Sequence, residues 1–325
     1  MTSFGVVAIG RNEGDRLKRC LESVQGLSTG VVYVDSGSTD DSIAAARARM
    51  ATVVKLDLHT PFTAARARNE GFQKLIQMHP ALDYVFFVDG DCEVIPGWLE
   101  KAAQFLDQHG DVAVVSGLLR ERFPEKSIYN LLIDIEWREY PYGDVKISGG
   151  NALIRVSALQ QVKGYRADLI CGEEPEMCFR LRQAGWRIWR LHDPMALHDA
   201  AMYRFGQWWT RGVRGGYAFA LGASLHPGSP ERHWLLEWSR AWIWALGVPL
   251  LTVVLAATWS WWALLLLTVY PLQVIRLARR SKQSERENLW RGAALVLGKF
   301  AEVVGQMKFL TDRLRGAQSG LIEYK

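Results

Sequence analysis

The chain has 325 residues, with 39 basic and 34 acidic side chains and a formal net charge of +5. Apolar residues make up 49% of it and its mean hydropathy is −0.04, which excludes a disordered polypeptide and a polytopic transporter and allows about two domains. The four cysteines, Cys20, Cys92, Cys171 and Cys178, show no Cys-x-x-Cys spacing, so they read as reduced cytosolic thiols and not as a disulfide framework or zinc knuckle.

In chain order, Phe4–Ile9 is a short apolar run without the basic start or long apolar stretch of a secretion signal, and it predicts a strand. Leu17, Leu21 and Val24 recur at helical spacing within Asp15–Gln25. Val31–Val34 predicts the next strand. The turn and cap cluster Asp35–Ser42 then leads into an Ala-rich helix over Ile43–Met50. Thr52–Leu56 predicts a strand, Thr63–Met78 a helix and Tyr84–Val88 an unbroken apolar strand. Pro96 opens a helix running to about Asp107, and Val112–Leu118 is a fifth strand. Repeated strand–helix units with continuous apolar strands predict an α/β fold with a mostly parallel sheet covered by helices. The pattern then loosens. Pro124–Tyr140 predicts a helix, Lys146–Ile154 a strand carrying Gly149-Gly150-Asn151, Glu174–Ala184 a helix ending at Gly185, and Trp186–Leu191 a short strand.

The last third changes character. Twelve of the 14 Trp lie after residue 180, and tryptophan gathers where one end of its ring is dry and the other wet. Ala241–Ile275 contains no charged residue. As one helix it would be roughly 50 Å long, against a hydrocarbon core of about 30 Å. A hairpin of two shorter arms fits better, with its tip near Thr258–Trp261 and with Pro249 and Pro271 able to kink the arms. Arg232 and Arg240 precede the run, and Arg276, Arg279, Arg280, Lys282 and Arg286 follow it, so both flanks belong on the cytoplasmic side. Leu289–Leu310 carries too many charges for a span and reads as an interfacial amphipathic helix. The expected organisation is a catalytic domain over 1–215, an amphipathic interface segment over 216–240, a membrane-inserted hairpin over 241–276, and a cytoplasmic helix and tail over 277–325. The expected location is the cytoplasmic (inner) membrane, with the catalytic domain facing the cytoplasm.

Five constellations carry chemistry. Asp89-Gly90-Asp91 follows a buried strand, where open sheets bind ligands. Two carboxylates there can approach one hard cation, or the segment can be a simple turn. Asp35 ends another strand and can accept from a base or ribose, or close an Asx-turn. Glu173, Glu174 and Glu176 precede or open a helix. They can answer the helix dipole, or one of them can be a general base. His192 and His198 can complete a metal site begun by carboxylates. Arg204, Arg211 and Arg214 alternate with Phe205, Trp208 and Trp209, which suits phosphate and a membrane surface; no nucleic-acid motif is present and no nucleic-acid partner is expected.

Together these pieces lead to a family. Val6–Glu13, Val34–Asp40, Ala65–Gly71, Asp89–Asp91 and Gly149–Asn151 occur in the order seen in the family 2 glycosyltransferases, and the chain resembles those enzymes from about Phe4 to Gly216. The resemblance implies a GT-A fold and inverting transfer from a nucleotide diphosphate sugar. It implies that Arg11, Glu13 and Asp35 frame the nucleotide, that Arg68 approaches the diphosphate, and that Gly149 and Gly150 let backbone come close to a substrate. Asp89 and Asp91 would hold Mn²⁺ or Mg²⁺ with His198, and Glu174 would be the catalytic base, with Glu173 beside it toward the acceptor. Two departures stand out: Ser36 replaces a second acid after Asp35, and Glu174 is one methylene longer than the usual Asp. Gln207-Trp208-Trp209-Thr210-Arg211 only faintly resembles the signature of processive synthases, so single-sugar transfer is expected. The hairpin implies a lipid-linked or glycan acceptor beside membrane lipid, with Arg211 and Arg214 toward its phosphate. The rival readings are a polyprenyl-phosphate glycosyltransferase, which needs no base, and a non-catalytic membrane scaffold.

Overall fold

The computed structural model describes residues 3–60, 62–229, 231, 234–280 and 283–316; Arg232, Lys282 and the tail 317–325 lie outside them. The chain separates into two compact units, one formed by Met1–Phe123 with Glu136–Ala200 and the other by Pro124–Ile135 with Ala201–Lys325.

The first unit runs β1 (Phe4–Gly10), α1 (Asp15–Val24), β2 (Val31–Asp35), α2 (Ser42–Ala48), β3 (Thr52–Lys55), α3 (Ala64–Met78), β4 (Tyr84–Asp89), β5 (Cys92–Val94), α4 (Trp98–Gln108) and β6 (Val112–Glu121). After α5 (Ile128–Glu139), which both units share, come β7 (Gly143–Val145), β8 (Ala152–Arg155), α6 (Val156–Gln161), α7 (Glu173–Gln183) and β9 (Arg187–His198). These strands form one sheet in the order β3-β2-β1-β4-β8-β6-β9-β5, with β7 also on β9. Strand side chains alternate between faces. Val6, Ala8, Phe86 and Val88 therefore join the core under α1 and α4. Val7, Ile9, Val85 and Phe87 join the core on the opposite face with α3, α6 and α7. Both faces are dry, which is why β1 and β4 read as continuous apolar runs.

The expected parallel pairing holds for β3-β2-β1-β4 and for β6 with β9. The sheet is nevertheless mixed, because β8 runs antiparallel between β4 and β6, and β5 and β7 run antiparallel to β9. Three elements differ from the sequence reading. The segment expected as a strand over Lys146–Ile154 is instead an irregular stretch between β7 and β8, and only its last part, Ala152–Ile154, is strand; at the end of the irregular stretch Asn151 bonds Asp89 N and Cys92 Sγ in place of a ladder partner. The strand expected over Trp186–Leu191 extends to His198 through Pro194, and register shifts against β6 at Ser116–Leu119 absorb the proline. β5, only three residues long, was not foreseen at all.

In the second unit the helical stretch expected from Pro124 begins as one tight 3₁₀ turn, Pro124–Lys126, before α5. It continues with α8 (Phe205–Leu225), α9 (Leu235–Trp242), α10 (Val248–Thr258), α11 (Val269–Ala278) and α12 (Glu285–Arg315). A single π turn at Ile243–Gly247 precedes Pro249; the wider turn accommodates a ring that cannot donate a hydrogen bond. Among the described residues two helical stretches are long and apolar enough to cross a membrane, Leu235–Thr258 (24 residues) and Trp261–Ala278 (18 residues). They are separated at Trp259–Ser260, the expected hairpin tip, where the Ser260 hydroxyl accepts from Trp262 N and caps the second stretch. The helix expected over Leu289–Leu310 is longer, because Ser284 and Glu287 close a capping box that starts α12 earlier.

Candidate active site

In the sheet, Gly10 lies opposite Asp35 and Ile9 opposite Asp89. The carboxyl ends of β1, β2 and β4 therefore reach one rim. The loops after β1 and β2 are tied together: Asn12 Oδ1 accepts from Thr39 N at 2.7 Å, and Asp40 Oδ2 accepts from Gly14 N at 3.1 Å. Asp35 is buried, and its Oδ2 accepts from Gly37 N and Ser38 N, each at 3.0 Å, while Tyr33 donates to Oδ1 at 3.2 Å. Its carboxylate thus builds the Asx-turn as well as standing at the rim. Glu13 lies beside the rim and pairs with Arg16 at 2.8 Å, and Arg11 lies over the Phe62 ring at 4.9 Å.

Two charged clusters grow from the turn after β4. In the first, α3 brings Arg68 into a buried position at which three carboxylates meet it. Its Nη2 donates to Asp89 Oδ1, and its Nη1 lies against Glu173 Oε1 and Glu174 Oε1, all at 3.0 Å. α7 delivers the two glutamates because Gly172, at φ 76°, turns the chain sharply before its first residue. Burial and the neighbouring Glu173 push the Glu174 carboxyl up to about 7, against the pull of Arg68. Gly150 lies against this cluster: a Cβ there would overlap Arg68 Nη2 and come within 3.1 Å of both Asp89 Oδ2 and Glu174 Oε1. Gly149, by contrast, faces open space.

In the second cluster, Asp91 Oδ2 stands 3.4 Å from His198 Nε2. Ligand atoms of Asp91, Cys92 and His198 all lie within 4.8 Å of one another. The cause is register, since Cys92 on β5 pairs with His198 on β9, and Asp199 N donates to Asp91 O at 3.0 Å. A carboxylate oxygen and an imidazole nitrogen facing one another suit Mn²⁺ and accept Mg²⁺. Burial pushes the Cys92 thiol well above its ordinary value, so it stays protonated and offers little to a hard ion. The chemistry of Asp91 and His198 therefore fits a divalent cation, which these two residues would hold. Asp89, expected to share that cation, gives Oδ1 to Arg68, whose buried charge demands a partner, and stands outside the Asp91–Cys92–His198 group.

The diphosphate role expected for Arg68 is untested by its surroundings: its Nη groups meet the three carboxylates, while its buried Nε has no hydrogen-bond partner among the described residues. Arg211 and Arg214 lie on α8, in the second unit. Asn151 joins the two clusters and had been given no role: its Oδ1 accepts from Asp89 N at 2.9 Å and its Nδ2 donates to Cys92 Sγ at 3.3 Å. The Gly-Gly-Asn sequence was the available signal. Trp137, whose ring meets His198 edge-on at 4.9 Å, had no signal in the sequence.

Comparison with known proteins agrees with this geometry. A family model described as Glycosyl transferase family 2 matches residues 6–163. The pre-mycofactocin glycosyltransferase of Mycobacterium tuberculosis is 31% identical over 209 residues, covering 58% of this chain but 41% of that protein. The glycosyltransferase AglE of Haloferax volcanii is 24% identical over 201 residues, covering 58% of this chain and 64% of its own. The chain thus spans less than half the length of the mycobacterial relative. Among solved structures, a mannosyltransferase of Pyrobaculum calidifontis in complex with GDP-Man and Mn²⁺ superposes with a TM-score of 0.62 at 19% identity, covering 94% of this chain and 86% of that one. Residues 6–163 thus match the family 2 glycosyltransferases, and the fold is GT-A.

Proposed function

We propose that the protein is a metal-dependent, inverting glycosyltransferase that moves one sugar from a nucleotide diphosphate sugar, a UDP-sugar in this reading, to a hydroxyl of a membrane-associated acceptor such as a lipid-linked glycan. The observation that carries the reading is the placement of Glu174, which meets Arg68 at 3.0 Å and is connected through Arg68, Asp89, Asn151 and Cys92 to the Asp91–His198 pair. A mannosyltransferase of the same fold, captured with GDP-Man and Mn²⁺, supports a nucleotide-sugar donor.

In the mechanism, Arg11, Glu13 and Asp35 frame the nucleotide, with Asp35 toward the base. Asp91 and His198 hold Mn²⁺ or Mg²⁺, which when bound supplies Lewis-acid stabilisation of the leaving diphosphate. The irregular backbone at Gly149 and Gly150 admits substrate against the Arg68 cluster. Glu174 takes the proton of the acceptor hydroxyl as that oxygen attacks the anomeric carbon, and the bond to the diphosphate breaks on the opposite side. Such a base contributes about 10²–10⁴-fold when its pKa lies near the working pH. Glu173 keeps Arg68 from neutralising Glu174 fully and lies toward the acceptor. An acceptor phosphate that is already ionised would not need this base, so a hydroxyl acceptor is favoured. The apolar stretches of the second unit anchor the protein in the cytoplasmic membrane, with Arg211 and Arg214 toward an acceptor phosphate. A screen of nucleotide sugars with lipid-linked and soluble acceptors, with and without Mn²⁺, tests this. Sugar transfer that needs the cation and favours the lipid-linked acceptor is expected. Donors released nowhere under any condition would refute the assignment.

A further inference from the structure

Glu121 takes no part in the chemistry above, yet it is a buried carboxylate one strand away from the cation-holding histidine. It ends β6, and His198 ends β9; the two residues are paired in the ladder, as Cys92 and His198 are paired on the other side of β9. Directly opposed side chains on neighbouring strands share a face. His198 therefore stands between Cys92 and Glu121 with its two ring nitrogens facing different carboxylates. Nε2 is 3.4 Å from Asp91 Oδ2, and Nδ1 is 3.8 Å from Glu121 Oε2. Nδ1 is buried and meets no hydrogen-bond partner among the described residues.

Glu121 is itself firmly placed. Its Oε1 accepts from Phe123 N at 3.2 Å and its Oε2 from Ala200 N at 3.1 Å, so two backbone groups aim the carboxylate. Trp137 closes the ring from its side, edge-on at 4.9 Å, and its carbonyl is in turn held by Arg190 Nη2 at 2.7 Å. A neutral imidazole that offers Nε2 to a cation must carry its proton on Nδ1, and a buried N–H needs an acceptor. The nearest carboxylate is that of Glu121.

We propose that Glu121 is a positioning residue: it receives the Nδ1–H of His198, fixes the tautomer and plane of the ring, and keeps Nε2 free to hold a divalent cation. This rests on the reading of Asp91 and His198 as the cation's holders. A carboxylate behind a ligating histidine raises its basicity, and losing it typically costs roughly 10–100-fold in metal affinity.

The test uses the full chain in detergent, labelled with ¹⁵N-histidine, and Mn²⁺ itself as the probe. Nitrogen chemical shifts of metal-free wild type, with His198 assigned by its absence in His198→Gln, should show the Nδ1–H tautomer. Free-Mn²⁺ electron paramagnetic resonance should show binding by wild type and an affinity about 10–100-fold weaker in Glu121→Gln. An Nε2–H tautomer in the wild type, or an unchanged Mn²⁺ affinity in a folded Glu121→Gln, would overturn the assignment while leaving the cation site standing. Failure of wild type to bind Mn²⁺ would remove the cation site and the assignment with it. If the variant does not fold, the wild-type tautomer decides alone; a merely structural Glu121 would not set it.

Discussion

Arg68 carries a single positive charge into a buried position shared by Asp89, Glu173 and Glu174, so three carboxylates compete for one guanidinium and the least well matched of them is pushed toward its neutral form. That residue is Glu174, at about 7. A base works only when ionised, so transfer should climb with pH along a limb centred near that value and level off above it; a pH–rate profile measures this, and a flat profile through neutrality would contradict it. Stability runs the other way. The folded value lies above the ordinary 4.5, so this group's contribution is fully present below the ordinary value and is lost as pH rises through the folded one. Glu174→Gln should therefore melt no lower than wild type at alkaline pH, whereas a marked drop would make Glu174 a structural residue. Asp91→Asn should weaken donor binding in the presence of Mn²⁺ and leave metal-free donor binding alone, as read by calorimetry with and without a chelator. Equal loss in both conditions would place Asp91 outside the cation site. At this scale the sequence exposed the Asp-Gly-Asp candidates, because that motif directly after an apolar strand is a local pattern. It did not expose that Asp89 and Asp91 part company, since that depends on Arg68 arriving from another element.

α3 packs closely against the sheet beside the site. Its inner face is Ala65, Ala67 and Gly71, all packed against the sheet, and a Cβ at Gly71 would overlap Val7 and lie 2.7 Å from Val34. Helix propensity alone would make Gly71→Ala favourable by about 1 kcal/mol, but overpacking a full core costs about 1–3 kcal/mol. The variant should be less stable than wild type in denaturant unfolding; an increase would show that α3 has room to move. The elements that unbroken apolar runs and helical spacing could reveal, β1, β4 and α1, were legible because each buries a continuous or regular pattern. β9 was not, because Pro194 interrupts the pattern and only the register shifts against β6 make a long strand feasible. That hidden length is what carries His198 to the rim beside Asp91.

On the scale of the whole molecule, the proposed membrane anchoring rests on the exposed apolar surface of the second unit. Leu250, Leu251, Val253, Trp259, Trp261 and Trp262 are all more than half exposed, far more large apolar surface than water tolerates on a monomer. With the chain reconstituted in vesicles containing brominated lipids, tryptophan fluorescence should be strongly quenched, and Trp259→Phe, Trp261→Phe and Trp262→Phe together should reduce that quenching. No quenching by lipid would contradict membrane insertion. The two long apolar helical stretches were legible in composition because an uncharged run is a property of many consecutive residues, whereas the candidate site depends on a few atoms contributed by distant strands.

The central claim is that Glu174 accepts the acceptor's proton, and the most direct test is the rate of sugar transfer by Glu174→Gln at saturating donor and Mn²⁺, set beside its donor affinity. The rate should fall by about 10²–10⁴-fold with donor affinity unchanged. A variant that transfers sugar at the wild-type rate would contradict the account.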